Sequence, residues 1–371
     1  MTTLEARPGA TFPLPPGSTI GILGGGQLGR MLALAAARHG FDVAVLSPQP
    51  RSPAARVSAY EIVAAYEDPA GLAELARISD VVTFEFENVP AGAVAELNRL
   101  GARVAPDGRA LAIAQDRLAE KTFLNEVGLA TVRFASVDTE ADLTAALTRL
   151  GAPLLLKTRR GGYDGKGQVW VNRPADAAAA FAALGRVAAI AETPADFRRE
   201  VALIAARGRG GEIALYPLTE SHHEHGVLRR STAPARDAER ATAEAERIAA
   251  TLLDALGYVG VLGIELFEGD DGKLLVNEFA PRVHNTGHWT ADGCEVDQFE
   301  QHIRAIAGWP LGPTAPLRRV DMSNLLGHEA EDWRRLAGET DARLWLYGKG
   351  EGKAGRKMGH VSRLRPLEDG D

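Results

Sequence analysis

The chain is short of several things, and each shortage removes a class of function. It has one cysteine, Cys294, in 371 residues, which excludes an internal disulfide and suits a reducing cytoplasm. That cysteine reads as a small buried apolar side chain. Cations are not in excess. Lys and Arg number 42 against 49 Asp and Glu, for a formal charge of -7 and a pI near 5.8. Nucleic-acid binders carry a basic surface, so no nucleic acid is expected, and a small anionic substrate is. No apolar run is long enough to span a bilayer, so no membrane partner is expected. The first 18 residues hold one Glu, one Arg and several Pro without the apolar core of a secretory leader. They are expected to form a disordered tail.

What is present fits a globular enzyme. Hydrophobic residues make up 45% and charged residues 25%, ordinary values for folded chains, and the length predicts two or three domains. The first part alternates strand and helix: strands over 19–23, 41–46, 61–65 and 81–85, helices over 31–39, 70–77 and 91–100, and a further strand at Val104. That alternation implies a parallel, doubly wound sheet. One helical stretch is expected over 110–127. Strands over 153–158 and 168–171 flank a glycine-rich turn, and an Ala-rich helix follows Pro174. A strand over 188–192 opens a third block, with strands over 200–206 and 212–218 and an amphipathic helix over 236–256. The run 308–313 reads as a linker, followed by a small β-rich tail.

The richest stretch is VGVLGIELFEGDDGKLLVNEFAPRVHNTGHWT, residues 259–290. Its two apolar runs around Asp-Gly predict a hairpin. With Asp271 and Gly272 as a two-residue turn, Glu265 and Glu278 stand opposite each other. Opposed like charges weaken strand pairing, so a cation is needed between them. Carboxylates without thiolates favour Mg²⁺ or Mn²⁺ held jointly with substrate phosphates. The alternative is a solvated pair on an open sheet face.

Two glycine loops accompany this hairpin. GILGGGQLGR places Gly24, Gly26 and Gly29 in GxGxxG spacing between a strand and a helix, where bare helix amides face an anion. A dinucleotide site needs an acid ending the second strand. Leu46-Ser47-Pro48 stands there, so a single phosphate is the better reading. The second loop, KTRRGGYDGKGQ, departs from a Walker A loop at Arg160 and Gly167. Lys157 at its base and Lys166 at its tip make it resemble a lid over a nucleoside triphosphate.

GGGQLGRM, TFEFENVP, QDRLAEKTFL, KTRRGGYDGKGQ, ELF with NEFAPRVHNTGHWT, and YGK with GRKMGH together resemble the N5-carboxyaminoimidazole ribonucleotide synthetase family. The resemblance covers nearly all of the chain after Ser18. It implies an α/β and α+β chain with the ATP-grasp fold: a tail over 1–18, a Rossmann-like parallel-sheet domain over 19–110, an ATP-grasp domain over 111–310 with a lid at about 119–189, and a small β-rich domain over 311–371. It also implies ATP, Mg²⁺ or Mn²⁺, bicarbonate and 5-aminoimidazole ribonucleotide, with a homodimer in the cytoplasm. For ATP the resemblance implies Arg117, Lys157, the lid residues Gly162, Tyr163, Asp164, Gly165, Lys166, Gly167 and Gln168, then Glu192, Ala195, Glu200, His223, Asn277 and Glu278. The metal would sit on Glu265 and Glu278. For the ribonucleotide it implies Gln27, Leu28, Glu85, Tyr163, Arg282, His284, Asn285, Lys349 and Arg356. Asp164, Lys349 and Arg282 would act in catalysis, Asp164 on the amine proton. Pro194 departs from the family's larger apolar residue and removes one N–H near the adenine. Two rival readings are an ATP-grasp ligase that phosphorylates formate or another carboxylate, and an NADP-linked oxidoreductase with Arg51 near a 2′-phosphate.

Overall fold

The computed structural model describes residues 11–162 and 165–367. Four short apolar runs form the first sheet. Strands β1 (Thr19–Leu23), β2 (Asp42–Ser47), β3 (Tyr60–Val63) and β4 (Val81–Phe84) lie parallel in the order β3-β2-β1-β4, and Val104 bridges to Val82. Both β1 and β4 are buried along their length, as strands covered on two faces must be. Helices α1 (Gln27–Arg38), α2 (Pro69–Ile78) and α3 (Ala91–Arg99) make the connections. Asp68 caps α2 by accepting the Gly71 N–H at 2.7 Å, with Pro69 in the first turn.

The helical stretch expected over 110–127 is broken in two, α4 (Gly108–Ala114) and α5 (Arg117–Glu126). Asp116 makes the break. Its carboxylate accepts the N–H groups of Leu118 and Ala119, so it starts a new helix rather than continuing the old one.

A small antiparallel sheet follows, built from β5 (Phe134–Val137), β6 (Leu154–Thr158), β7 (Gln168–Val171) and β8 (Ala189–Glu192) in the order β5-β8-β6-β7, with helices α6 (Glu140–Leu150) and α7 (Ala177–Ala183). The strand over 189–192 was expected to open the third block. It lies instead between β5 and β6, its alternate residues filling the core of this sheet.

The third sheet has nine strands. It contains β9 (Arg199–Arg207), β10 (Ile213–Leu215), β11 (Thr219–Glu224), β12 (Val227–Ala233), the hairpin β13 (Gly260–Glu268) and β14 (Leu274–Ala280), and β15 (Arg319–Leu326), β16 (Ala342–Leu346) and β17 (Lys357–Arg365). The order is β14-β13-β9-β11-β12-β15-β17-β16, with β10 on β9. The C-terminal strands therefore extend the central sheet, joined where Ala233 pairs with Val320 and Arg230 with Ser323. Alternation along β9 serves two cores. Leu203 and Ala205 face α8 (Glu239–Ala255). Ile204 and Ala206 join the cluster that holds β1, α1 and Met322. A single turn α9 (Thr290–Gly293) and α10 (Gln298–Ala307) complete that side.

Two expected loose segments are fixed. Leu14 is 1% exposed; its N–H donates to Ala307 O and its carbonyl accepts from Trp309 Nε1, both at 2.8 Å. The Phe12 ring lies 3.5 Å from the Arg209 guanidinium. The expected tail over 1–18 therefore does not reach residue 18, because its apolar residues dock on α10. The run 308–313 is likewise strapped down, with Gly308 closing α10 at φ 75° and Gly312 paired through both backbone groups to the Gln301 amide.

Candidate active site

The carboxylate pair is where the alternation put it, but for a different local reason. Glu265 stands opposite Glu278. The turn is not the two-residue Asp271-Gly272 form: Gly269 N–H donates to Lys273 O, and Glu268 already pairs with Leu274. That longer turn shifts the register by one residue. An irregularity between Glu265 and Leu266 shifts it back, leaving Asn277 as the extra residue of a β-bulge.

The two acids have unequal surroundings. Burial and the Glu278 charge push Glu265 above the usual carboxylate range. Burial also works on Glu278, yet Arg117, with Lys157 beyond it, holds Glu278 well below that range. Arg117 donates to Glu278 Oε2 at 2.8 Å and to the Gly162 carbonyl at 3.1 Å, so it joins the hairpin to the second glycine loop. On the other side His223 Nε2 lies 3.9 Å from Glu265, while its Nδ1 bonds the Glu200 carboxylate. Burial disfavours charge on His223; Glu200 and Glu265 outweigh it and raise its pKa. Glu200, His223, Glu265, Phe267 and Asn277 line one cavity. A more open groove around Gly210, Glu212 and Pro310 contains none of the predicted residues.

Glu120 and Lys121 of α5 and its cap Asp116 complete this wall, and sequence reasoning missed them. Glu120 accepts the Phe279 N–H at 2.7 Å. Lys121 Nζ donates to Asn277 O at 2.8 Å and lies 3.6 Å from Glu192. Lys157 Nζ reaches Glu192 at 2.7 Å. Burial would raise Glu192, but these two lysines keep it ionised and low. Asp116, which caps the helix, also binds Arg159 through two contacts at 3.0 and 2.8 Å and Arg160 at 3.2 Å. The base of the glycine loop is thus pinned to α5.

In that loop Gly161, Gly165 and Gly167 have φ near +73°, backbone open mainly to glycine. A Cβ on Gly165 would meet the His225 carbonyl at 2.4 Å, so the loop closes onto the β11–β12 turn. Gln168 pairs with Lys157 at the loop's end. Lys166 belongs to the same turn, and Tyr163 and Asp164 lie outside the described residues. Ala195 follows Pro194 in the segment after β8, two residues before Phe197, whose ring stacks on Phe267 at 4.7 Å.

The first glycine loop corrects an expectation. Bare amides facing a phosphate are expected here, but Glu85 occupies two of them: its carboxylate accepts from Gly26 N–H at 2.8 Å and Gly29 N–H at 3.1 Å. A helix N-terminus stabilises a carboxylate as it would a phosphate. A buried carboxylate at this position also disfavours the pyrophosphate that the oxidoreductase reading needs there. Burial raises the Glu85 pKa, while Arg282 and Lys349 oppose the rise. Gln27 opens α1 half-buried, whereas Leu28 is buried in the core, so only its backbone can meet a ligand.

Arg282 is the charge centre between the two halves. Its Nε bonds the Glu87 carboxylate, and it feels Glu85 and Glu278 as well. His284 is pushed down to about 3 by burial, then by Arg282 and Lys357; it stays neutral. Asn285 is buried, and neither of its amide atoms has a partner among the described residues. Such an amide is costly unless a ligand or water meets it. Lys349 Nζ sits 5.5 Å over the Tyr347 ring, and Arg356 Nη1 donates to Lys349 O at 3.4 Å. Arg117, Lys157, Glu192, Glu200, His223, Glu265, Asn277 and Glu278 are thus linked along one wall, and Glu85, Arg282, Lys349 and Arg356 along the other.

Among the described residues no three His, Cys, Asp or Glu side chains gather as a metal cage. The Glu265–Glu278 pair nevertheless fits Mg²⁺ or Mn²⁺, which take one or two carboxylates and complete their shell from phosphate and water.

Comparison with known proteins agrees along the chain. Residues 18–115 match the ribonucleotide synthetase preATP-grasp domain, 122–299 the ATP-grasp domain, and 321–367 the phosphoribosylaminoimidazole carboxylase C-terminal domain. The chain is similar to the N5-carboxyaminoimidazole ribonucleotide synthases of Brucella melitensis, 54% identical over 95% of this chain and 98% of the relative, and of Bacillus subtilis, 42% identical over 95% and 93%. Among solved structures, an ADP complex of N5-carboxyaminoimidazole ribonucleotide synthetase superposes with a TM-score of 0.92 at 43% identity, covering 96% of this chain and 94% of that one. The Aspergillus clavatus synthase with ADP and 5-aminoimidazole ribonucleotide gives 0.89 at 31% identity, covering 95% of each.

Proposed function

The chain belongs to the N5-carboxyaminoimidazole ribonucleotide synthase family, and we propose that its two linked walls run ATP-dependent carboxylation of 5-aminoimidazole ribonucleotide by bicarbonate. It is an ATP-grasp ligase. A bicarbonate oxygen attacks the γ-phosphorus and ADP leaves, giving carboxyphosphate. The exocyclic amine then takes the carboxyl carbon, directly or as released CO₂; phosphate leaves and the amine gives up a proton. Glu265 and Glu278 would hold Mg²⁺ or Mn²⁺, which would supply neutralisation of phosphate charge, the main demand of phosphoryl transfer.

The chain's own residues divide the remaining work. Lys157 and Arg117 face the phosphates, and Glu200, His223 and the Pro194–Ala195 segment hold the nucleoside. Arg282, His284, Asn285, Lys349 and Arg356 with Gln27 and Glu85 hold the ribonucleotide. Asp164 handles the amine proton. The glycine loop, pinned by Asp116, excludes water from a labile anhydride.

One observation carries this reading: the Arg282 guanidinium, bound to Glu87, interacts electrostatically with both Glu278 on the nucleotide wall and Glu85 on the acceptor wall, so one cation serves both sides of the transfer. ADP release should require ATP, Mg²⁺, bicarbonate and the ribonucleotide together, with one carbamate per ADP. Release driven by formate or another carboxylate instead would establish the rival ligase. A homodimer in a reducing cytoplasm belongs to the same proposal, on the strength of the family resemblance; sedimentation tests the assembly.

A further inference from the structure

Besides Gln27 and Glu85 of the first domain, the acceptor wall draws on two distant parts of the chain, the loop carrying Arg282, His284 and Asn285 and the loop carrying Lys349. The structure joins them through a buried path that contains none of the substrate contacts. Gln298, 0% exposed, begins α10. Its Oε1 accepts the His284 N–H at 2.8 Å, and its Nε2 donates to the His284 carbonyl at 2.7 Å. A backbone N–H can only donate and a carbonyl only accept, so these two bonds settle which end of the amide is which. Nε2 also lies 3.2 Å from His288 Nδ1, which must then be the acceptor. The path continues across side chains. His288 stacks on His360 at 4.8 Å, His360 stacks in turn on Trp345, and His360 Nδ1 lies 2.7 Å from the Tyr347 hydroxyl. Both imidazoles are fully buried. The last link is the Tyr347 ring, itself 2% exposed, with the Lys349 ammonium 5.5 Å from its centroid, inside the range where a ring face attracts a cation.

We propose that Tyr347 is a positioning residue for Lys349: its π-face fixes the ammonium, and the Gln298–His288–His360 path fixes the ring relative to the His284 loop. These two loops of the acceptor wall are thereby set as one piece. This rests on the assignment of Lys349 to the ribonucleotide. A flexible lysine chain has many rotamers, and holding it before substrate arrives removes an ordering cost from binding.

The test separates ring electronics from ring shape. Phenylalanine and its mono-, di- and trifluoro forms are placed at 347, keeping the shape while progressively draining the ring face. We expect KM for the ribonucleotide to climb along the series, reaching about tenfold, the share of a partly desolvated cation–π contact. KM for ATP and nucleotide binding by calorimetry should stay within about twofold, since the nucleotide wall is untouched. Lys349→Met is measured in parallel. A rise in KM for Lys349→Met with a flat fluorination series overturns the role of Tyr347 alone. Unchanged KM in Lys349→Met overturns the assignment of Lys349 itself. Equal losses toward ATP and ribonucleotide along the series mean a packing role only, and also overturn the inference.

Discussion

His302 offers the sharpest test of how the walls are held, because its two nitrogens are both committed. Val261 N–H donates to Nδ1 at 3.0 Å, so the proton sits on Nε2, which faces Thr83 Oγ1 at 2.8 Å. One imidazole thus ties α10 to β4 of the first sheet and to β13 of the central one. Burial pushes its pKa down to about 3, against about 6.5 for an unfolded histidine. Folding therefore selects the neutral form. Its contribution is fully present above about pH 6.5 and is lost as the pH falls toward the folded value, because over that window the unfolded chain binds the extra proton. Between pH 7 and pH 5 one such group costs about 2 kcal/mol, and this figure barely depends on the folded value so long as that lies well below 5. For 371 residues that is roughly 2 to 3 °C in Tm. His360, also pushed down to about 3 by burial, and His288, well below its ordinary value, add similar shares. The assay is thermal unfolding at pH 7 and pH 5 for the parent and His302→Gln, whose amide can meet both partners without titrating. The variant should lose Tm at pH 7 yet show a smaller acid drop, by that one share. An acid drop equal to the parent's would refute the argument.

Three substitutions probe the walls directly. Glu265→Gln relieves the repulsion from Glu278 and should leave Tm equal or higher, while Glu278→Gln strands Arg117 and should cost about 1 to 3 kcal/mol; both should abolish ADP release, and full turnover in either would remove the metal assignment. Asp116→Asn keeps a competent helix cap but loses the charge holding Arg159 and Arg160, so KM for ATP should rise several-fold with a stability loss of about 1 to 3 kcal/mol; unchanged ATP kinetics would show that the loop does not depend on this pin. In Gly26→Val a Cβ stands 2.7 Å from Glu85 Oε1, so the carboxylate must move. KM for the ribonucleotide should then rise far more than KM for ATP, and a selective loss of ATP affinity would place the loop on the other wall.

Legibility differed between the elements and the contacts among them. The Glu265–Glu278 pairing was read correctly through a wrong turn, because a longer turn and the bulge at Asn277 displace the register in opposite senses. Alternation reports which face a residue occupies, and that survives two compensating shifts. The capping box of Thr139 and Asp142 is a local signal for α6. Strands β11 and β12 were missed for a deeper reason. TESHHE and VLRRSTA are too polar for a core strand on their own, and they become one only by lying between β9 and β15. The charged face of α5 is the same case. Arg117, Glu120 and Lys121 at i, i+3 and i+4 ordinarily describe a solvated helix face. Here Glu120 and Lys121 are buried because the backbone of β14, through Phe279 N–H and Asn277 O, consumes their hydrogen bonds. Nothing in residues 117–126 specifies that partner. The same contact explains why the bulge matters to the wall: Asn277, the extra residue, turns its carbonyl to Lys121, and the next residue along is the carboxylate that Arg117 holds.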